Sequence, residues 1–254
     1  MRQAYIFTVV MPERETRFQY LHGQNHWWAR SIREMTTSTI LRFVENRTVV
    51  DFGCGPGFLG VALQGHKKRY LGCDIDLSAV NFAQHIIGSR SIIFHSEATE
   101  FVYRLPRDEE YLLCLLDLWT QNNFDSSAFI AGAKNTLGSH RLIIRAPAHN
   151  HLRSKHDRWV NQTRRINPRC VKADLEREGY RFIFGTHLNL ILLPIYLIVR
   201  LFPTATGLNK NHGKTINFIL YSMMKLESKI LKGRGLCYGL TYLMVLDYED
   251  PDTR

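Results

Sequence analysis

Cysteine is sparse in this chain. Five residues, at 54, 73, 114, 170 and 237, are widely spaced, odd in number and free of any Cys-x-x-Cys pair. That pattern argues against a disulfide scaffold or a thiolate zinc site, and it fits a reducing cytoplasm; no metal is expected. Long apolar runs are also missing. The longest, Leu190 to Val199, contains Pro194 and meets Arg200, well short of the roughly 18–20 residues that cross a bilayer. The opening stretch Met1 to Met11 has one basic residue, no small-residue cleavage site and Pro12-Glu13-Arg14 directly after it, which speaks against a signal peptide. Repeats and low-complexity tracts are absent, and with 45% apolar and 22% charged residues the composition excludes a disordered chain.

Acidic residues are scarce in one region only. The net charge is +10, and between His151 and Cys237 there are 16 Lys/Arg against 5 Asp/Glu, so the rest of the chain is nearly neutral. A basic segment beside an apolar run points to an anionic partner: a membrane surface, a phosphorylated substrate or nucleic acid. The basic residues form no stripe interleaved with exposed aromatics and no NPPY-like tetrad for a flipped base is present, which makes nucleic acid the weaker reading. Oligomeric state has no signature.

Seven short apolar runs read as strands: Thr48–Cys54, Arg69–Ile75, Ser91–Glu97, Tyr111–Leu118, His140–Ala146, Arg181–His187 and Leu240–Tyr248. Helical spacing marks Phe58–Leu63, Ala79–Ile87, Phe129–Leu137 and Val171–Glu178, with Ala29 to Glu45 ahead of the first strand. Buried strands alternating with helices predict a doubly wound α/β domain, a mostly parallel sheet covered on both faces. Ligands of such sheets sit at the carboxyl ends of the strands. We read residues 1–254 as one domain: 1–47 an N-terminal helical cap, 48–187 the cofactor-binding core, 188–238 a helical apolar and basic insertion with a second helix at Thr215–Leu231, and 239–254 the last strand and tail. Connections as long as the insertion are usually functional.

The most informative run is Val49-Val50-Asp51-Phe52-Gly53-Cys54-Gly55-Pro56-Gly57. An apolar strand reaches an acid, and glycines then fall at every second position, as a loop needs where a ligand approaches the backbone. Gly55 to Gly60 fits GxGxxG, a weak signal shared with dinucleotide sites. Asp51 separates the readings: a carboxylate beside a pyrophosphate is repelled, whereas it suits a ligand with a positively charged amino group.

These residues resemble the first motif of the class I S-adenosylmethionine-dependent methyltransferases, an acid followed by GxGxG. The resemblance implies a Rossmann-like seven-stranded fold, with Asp51, Gly53, Gly55 and Gly57 around the methionine portion of the cofactor and Asp74 on the ribose hydroxyls. Ile75 would touch the base, and Glu97 with Ala98 would lie near the adenine amino group. The bacterial type-11 group is similar over nearly the whole chain. The similarity rests on His26-Trp27-Trp28-Ala29-Arg30, Ala146-Pro147-Ala148-His149, His156-Asp157, Arg164-Arg165, Leu192-Leu193-Pro194 and Gly239-Leu240-Thr241. The chain departs from that group at Asp117-Leu118-Trp119-Thr120-Gln121, where an acid-histidine pair is common, and at Asn161-Gln162 and Leu137-Gly138-Ser139.

A methyl group on sulfonium is already activated, so the protein mainly positions the acceptor and excludes water. An oxygen acceptor also needs a base. His149, just past the fifth strand, is the first candidate; His156 and Asp157 are the next, as an imidazole oriented by a carboxylate. Asp117 contacts cofactor or acceptor, or only ends a strand. His26 and Trp27 close over the site or pack in the core. Arg164 and Arg165 grip an anionic group on the acceptor or stand in solvent. We therefore expect methyl transfer to an oxygen of a small or lipid-linked acceptor, in the cytoplasm or at the inner membrane face. A nucleic-acid methyltransferase and a catalytically impaired cofactor-binding homologue are the alternatives.

Overall fold

The computed structural model describes residues 24–88, 92–154, 157, 162–201, 213–231 and 235–251. Seven strands form one sheet: β1 Thr48–Phe52, β2 Tyr70–Asp74, β3 Ile92–His95, β4 Tyr111–Leu116, β5 His140–Pro147, β6 Arg181–Leu188 and β7 Thr241–Tyr248. Their order across the sheet is β3-β2-β1-β4-β5-β7-β6. The first five are parallel, and β7 runs antiparallel between β5 and β6. The chain order reverses at β1/β4, the topological switch point where doubly wound sheets bind ligands.

Eight α-helices accompany the sheet among the described residues: α1 Trp27–Phe43, α2 Phe58–Gln64, α3 Leu77–Ile87, α4 Ala98–Phe101, α5 Ser126–Leu137, α6 Pro168–Arg177, α7 Leu193–Leu201 and α8 Lys214–Leu231. Successive strand residues point to opposite faces, and the core divides accordingly. Val49, Leu112, Cys114, Ile143 and Val245 pack with α1, α2, α3 and α8. Val50, Leu113, Leu115, Leu142, Ile144 and Met244 pack with α4, α5 and α6. Both faces are covered, so these strands are continuous apolar runs in the sequence.

The strand and helix ends lie within three residues of the sequence expectation, and capping chemistry sets the helix starts that differ most. Asp76 accepts from the Ser78 amide and opens α3 at Leu77. Asp125 accepts from the Ser127 and Ala128 amides and opens α5 at Ser126. Asn167, followed by Pro168 at the first helical turn, opens α6. The insertion between β6 and β7 carries α7 and α8. Glu227 of α8 is buried and accepts from the backbone amides of Asn189 and Ile191. That carboxylate ties the helix to the end of β6.

Candidate active site

Asp51 lies inside the sheet with 3% of its surface exposed. The register sets it opposite Gly72, and Tyr70, two residues earlier on the same face, donates its hydroxyl to Asp51 Oδ2 at 3.0 Å. Oδ1 is buried without a hydrogen-bond partner. Burial pushes the carboxyl up to about 7, against the opposing pull of the Tyr70 bond and the Arg145 charge. A half-satisfied buried carboxyl of this kind is a socket for a cation or an N–H donor.

Past Phe52 the chain turns through Gly53, Gly55 and Gly57, all at positive φ. Two of these glycines do different work. A Cβ on Gly57 would lie 2.7 Å from Ile87 and 2.8 Å from Ala83, so glycine lets the loop pack on α3. A Cβ on Gly55 would meet nothing within 4 Å, so that backbone faces open space. Asp74, at the end of β2, borders the same space. Its Oδ2 accepts from the Gly55 amide at 2.8 Å and its Oδ1 from the Asp76 amide at 2.9 Å. Burial raises its pKa against those two bonds, and each oxygen keeps a further lone pair.

Ile75 follows, its carbonyl accepting from His95 Nε2 at 3.0 Å. Glu97 is exposed at the N-cap of α4, with no capping bond from its side chain, and Ala98 begins that helix. Asp51, Asp74 and Glu97 thus stand at or just past the carboxyl ends of three adjacent strands.

Asp117 follows β4 at φ +66. It is neither a simple strand end nor free: its carboxylate pairs with Arg145 of β5. Arg145 is buried, and its Nη1 donates to Thr36 Oγ1 of α1 at 2.9 Å. Arg145 belongs to no motif; its signal in the sequence is a charge inside the apolar run Leu142–Ala146.

Strands β5 and β6 end on either side of Thr241, the first residue of β7. This brings His149 and His187 together, with 3.1 Å between their Nε2 atoms. The Leu236 carbonyl lies 3.2 Å from His187 Nδ1, so the hydrogen-bond geometry assigns the His187 proton to Nδ1 and leaves its Nε2 an acceptor. His149 Nε2 is then the donor of the pair, and its lone pair is on Nδ1. The Tyr238 ring stacks on His149 with centroids 4.4 Å apart, and its hydroxyl lies 2.6 Å from His151 Nε2. Burial first, then the neighbouring imidazoles and Arg165, push His149 down to about 4; burial also lowers His187. His149 holds φ +65, a conformation that costs a residue with a Cβ about 1–3 kcal/mol. His187 and Tyr238 were invisible in the sequence because no local pattern links them to His149. Among the described residues no group of three or more His, Cys, Asp or Glu is arranged to hold a metal ion.

Two expectations are corrected. The Asp157 carboxylate is taken up by an arginine, and Arg165 faces neither solvent nor an acceptor, because the two are paired and buried together. Arg165 Nε donates to Asp157 Oδ2 at 2.8 Å and Nη2 to Oδ1 at 3.0 Å. The Ser154 amide also donates to Oδ2, and Arg165 Nη1 reaches the Ala148 and Leu240 carbonyls. Trp27 is 1% exposed, and its amide donates to Asn217 of α8; His26 beside it is buried too. Both pack in the core, one of the two expectations for them, because α8 covers the start of α1. Arg164 is exposed, as one of the two expectations for it had it. His156 lies outside the described residues.

A family profile, the Methyltransferase small domain, matches residues 32–107. A curated relative, the probable cobalt-precorrin-6B C(15)-methyltransferase (decarboxylating) of Pyrobaculum aerophilum, is 33% identical over 81 residues, which are 29% of this chain and 41% of that protein. The chain therefore spans about two fifths of that relative's length. Among solved structures, a SAM-dependent methyltransferase from Archaeoglobus fulgidus superposes with a TM-score of 0.53 at 18% identity, covering 85% of this chain and 94% of its own. The plantazolicin methyltransferase BamL, solved with a desmethyl analogue and SAH, gives 0.56 at 15% identity, covering 93% and 97%. The residues present fit S-adenosylmethionine. Asp51 keeps an unpartnered buried oxygen for its positive charge, Gly55 leaves room above the backbone, and Asp74 has lone pairs to spare. In sheet order the chain shares the Rossmann-like fold of these solved methyltransferases, and its residues 32–107 match the Methyltransferase small domain.

Proposed function

We propose that the chain transfers a methyl group from S-adenosylmethionine to an oxygen of a small or lipid-linked acceptor bound at the carboxyl edge of β4, β5 and β6. The observation that carries this reading is the half-satisfied buried carboxyl of Asp51 beside the open space over Gly55. The bound cofactor supplies a methyl group activated by a positively charged sulfur. Asp51 faces that positive end, Asp74 takes the ribose hydroxyls, Ile75 touches the base, and Glu97 with Ala98 meets the adenine amino group. Asp117, held by Arg145, closes the edge toward β5. Losing Asp74 removes a charge-assisted hydrogen bond, so Asp74→Ala weakens S-adenosylmethionine binding by about 1–3 kcal/mol. Calorimetry with unchanged affinity would contradict the assignment.

His149 is the base in this reading. Neighbouring strands are about 4.8 Å apart, so the end of β5 lies roughly 10 Å across the sheet from that of β1, within reach of an extended cofactor. An acceptor hydroxyl gives its proton to His149 Nδ1 as the oxygen takes the methyl group. Nε2–H stays hydrogen-bonded to His187, which fixes the tautomer and the orientation of the ring. Burial holds His149 near 4, so it is neutral and competent from pH 5 upward. His149→Gln should lower turnover by about 10²–10⁴-fold with cofactor affinity unchanged. The test is transfer of labelled methyl from S-adenosylmethionine into a lipid and small-molecule extract. Label reaching product undiminished in His149→Gln rules out the base; bound cofactor with no labelled product in any fraction rules out the enzyme.

A further inference from the structure

The insertion is built unlike the rest of the molecule. Residues 188–238 contain seven Lys/Arg and a single acid, Glu227, and that acid is 1% exposed and occupied by backbone amides. On α8 one face, including Leu220, Met224 and Glu227, is buried. A second stripe, Ile216, Ile219, Met223 and Leu226, follows at intervals of three and four, the spacing of one helix face. Ile216 is 50%, Ile219 51% and Leu226 57% exposed. Phe218, at 69%, lies apart from the stripe on the side that also carries exposed Lys214, Lys225 and Lys229. On α7, Leu197 and Ile198 are likewise exposed. These residues account for six of the nine large apolar side chains exposed among the described residues. Isolated exposed apolar side chains are ordinary, but a cluster of them marks an interaction surface.

We propose that α7 and α8 dock on an anionic phospholipid surface, the apolar side chains entering the interface and the lysines meeting the headgroups. Charge decides between occupants. The 3-4-3 stripe alone would also suit a helix of a second copy, but two copies would bring two basic insertions together with no exposed acid in either to pair with them. Nucleic acid would match the charge but not the aliphatic stripe, which offers no stacking platform. No described helix is long and apolar enough to cross a membrane, so the geometry is that of helices lying in the interface. Two anchors fix the surface relative to the active-site edge. Glu227 holds α8 to the turn after β6, and Tyr196 of α7 donates to the Leu152 carbonyl, three residues past His149. The proposal stands apart from the methyl-transfer reading, because vesicle binding is measured without turnover.

The test is co-sedimentation of the full chain with phosphatidylcholine vesicles, with and without about one-third phosphatidylglycerol. We expect binding to the anionic vesicles only, weakening as salt is raised. Each surface lysine contributes about fivefold to partitioning, so replacing Lys214, Lys225 and Lys229 together by Gln should lower it about a hundredfold. Ile219→Asp with Leu226→Asp should abolish binding while leaving the melting temperature and S-adenosylmethionine affinity unchanged, since both side chains are exposed. Equal partitioning to neutral and anionic vesicles overturns the proposal. So does a protein that is dimeric by ultracentrifugation, becomes monomeric on Ile219→Asp and ignores vesicles; the stripe is then a self-association face.

Discussion

Asp51→Asn should produce a protein more stable than the wild type at pH 8 and nearly unable to bind its cofactor. The wild-type carboxyl is buried, bonded once by Tyr70, and raised from its ordinary 3.8 to about 7 chiefly by burial. The sign follows from proton counting. Between about pH 4 and 7 the folded protein holds a proton that the unfolded chain has already released, so stability declines as pH rises through that window. Above it the loss is complete, up to about 4 kcal/mol. Asparagine is neutral, nearly the same size, and still accepts from Tyr70. The variant therefore lacks this slope: it matches the wild type near pH 4 and exceeds it at pH 8. In the proposed binding mode the same change removes the charge facing the sulfonium and amino groups, weakening the cofactor by about 3 kcal/mol, roughly a hundredfold. Thermal melts at pH 4, 6 and 8 with calorimetry at pH 8 check both halves. A variant less stable than wild type at pH 8 would make Asp51 a structural partner rather than a site prepared for a cation.

The second large effect is structural. Arg165→Met should destabilise the fold by about 3–5 kcal/mol, because it leaves the Asp157 carboxylate buried without its cation. Arg165 also joins three pieces of chain: the Ala148 carbonyl after β5, the Leu240 carbonyl before β7, and the Tyr196 ring of α7. Arg165→Met with Asp157→Asn should recover part of the loss, since the uncompensated charge is gone. Denaturant titration of the two single variants and the double variant reads this directly. Strictly additive losses would mean that the two side chains act independently. Ala148 adjoins His149, so Arg165→Met should also lower turnover, whereas the exposed Arg164→Ala should leave stability unchanged.

What the sequence disclosed follows the range of the interactions. Strands buried on both faces are apolar runs, so β1 to β5 could be read directly. The placement of the glycine loop and of the acids was legible as well, because Asp51, Gly55, Asp74 and Glu97 sit at the ends of such runs. Partners set by register were hidden. Tyr70 reaches Asp51 because β1 and β2 align Asp51 with Gly72, a fact of pairing and not of spacing along the chain. His187 meets His149 only because the β6 end returns beside the β5 end with β7 between them. Arg165 and Asp157 read as surface chemistry because both are charged and their loop is polar; only mutual neutralisation lets them be buried. Trp27 read as core or as lid, and α8, 190 positions away at Asn217, covers it.

A cationic cofactor entering beside Asp51 should displace the carboxyl proton, and one titration measures that most directly. Wild-type protein is titrated calorimetrically with S-adenosylmethionine at pH 6, in buffers of differing ionisation enthalpy. The free carboxyl is then mostly protonated, and the incoming positive charge should expel that proton. We expect one cofactor per chain with release of most of one proton, a release that fades by about pH 8 and is absent in Asp51→Asn. Absence of binding, or binding whose heat does not depend on the buffer, would contradict it.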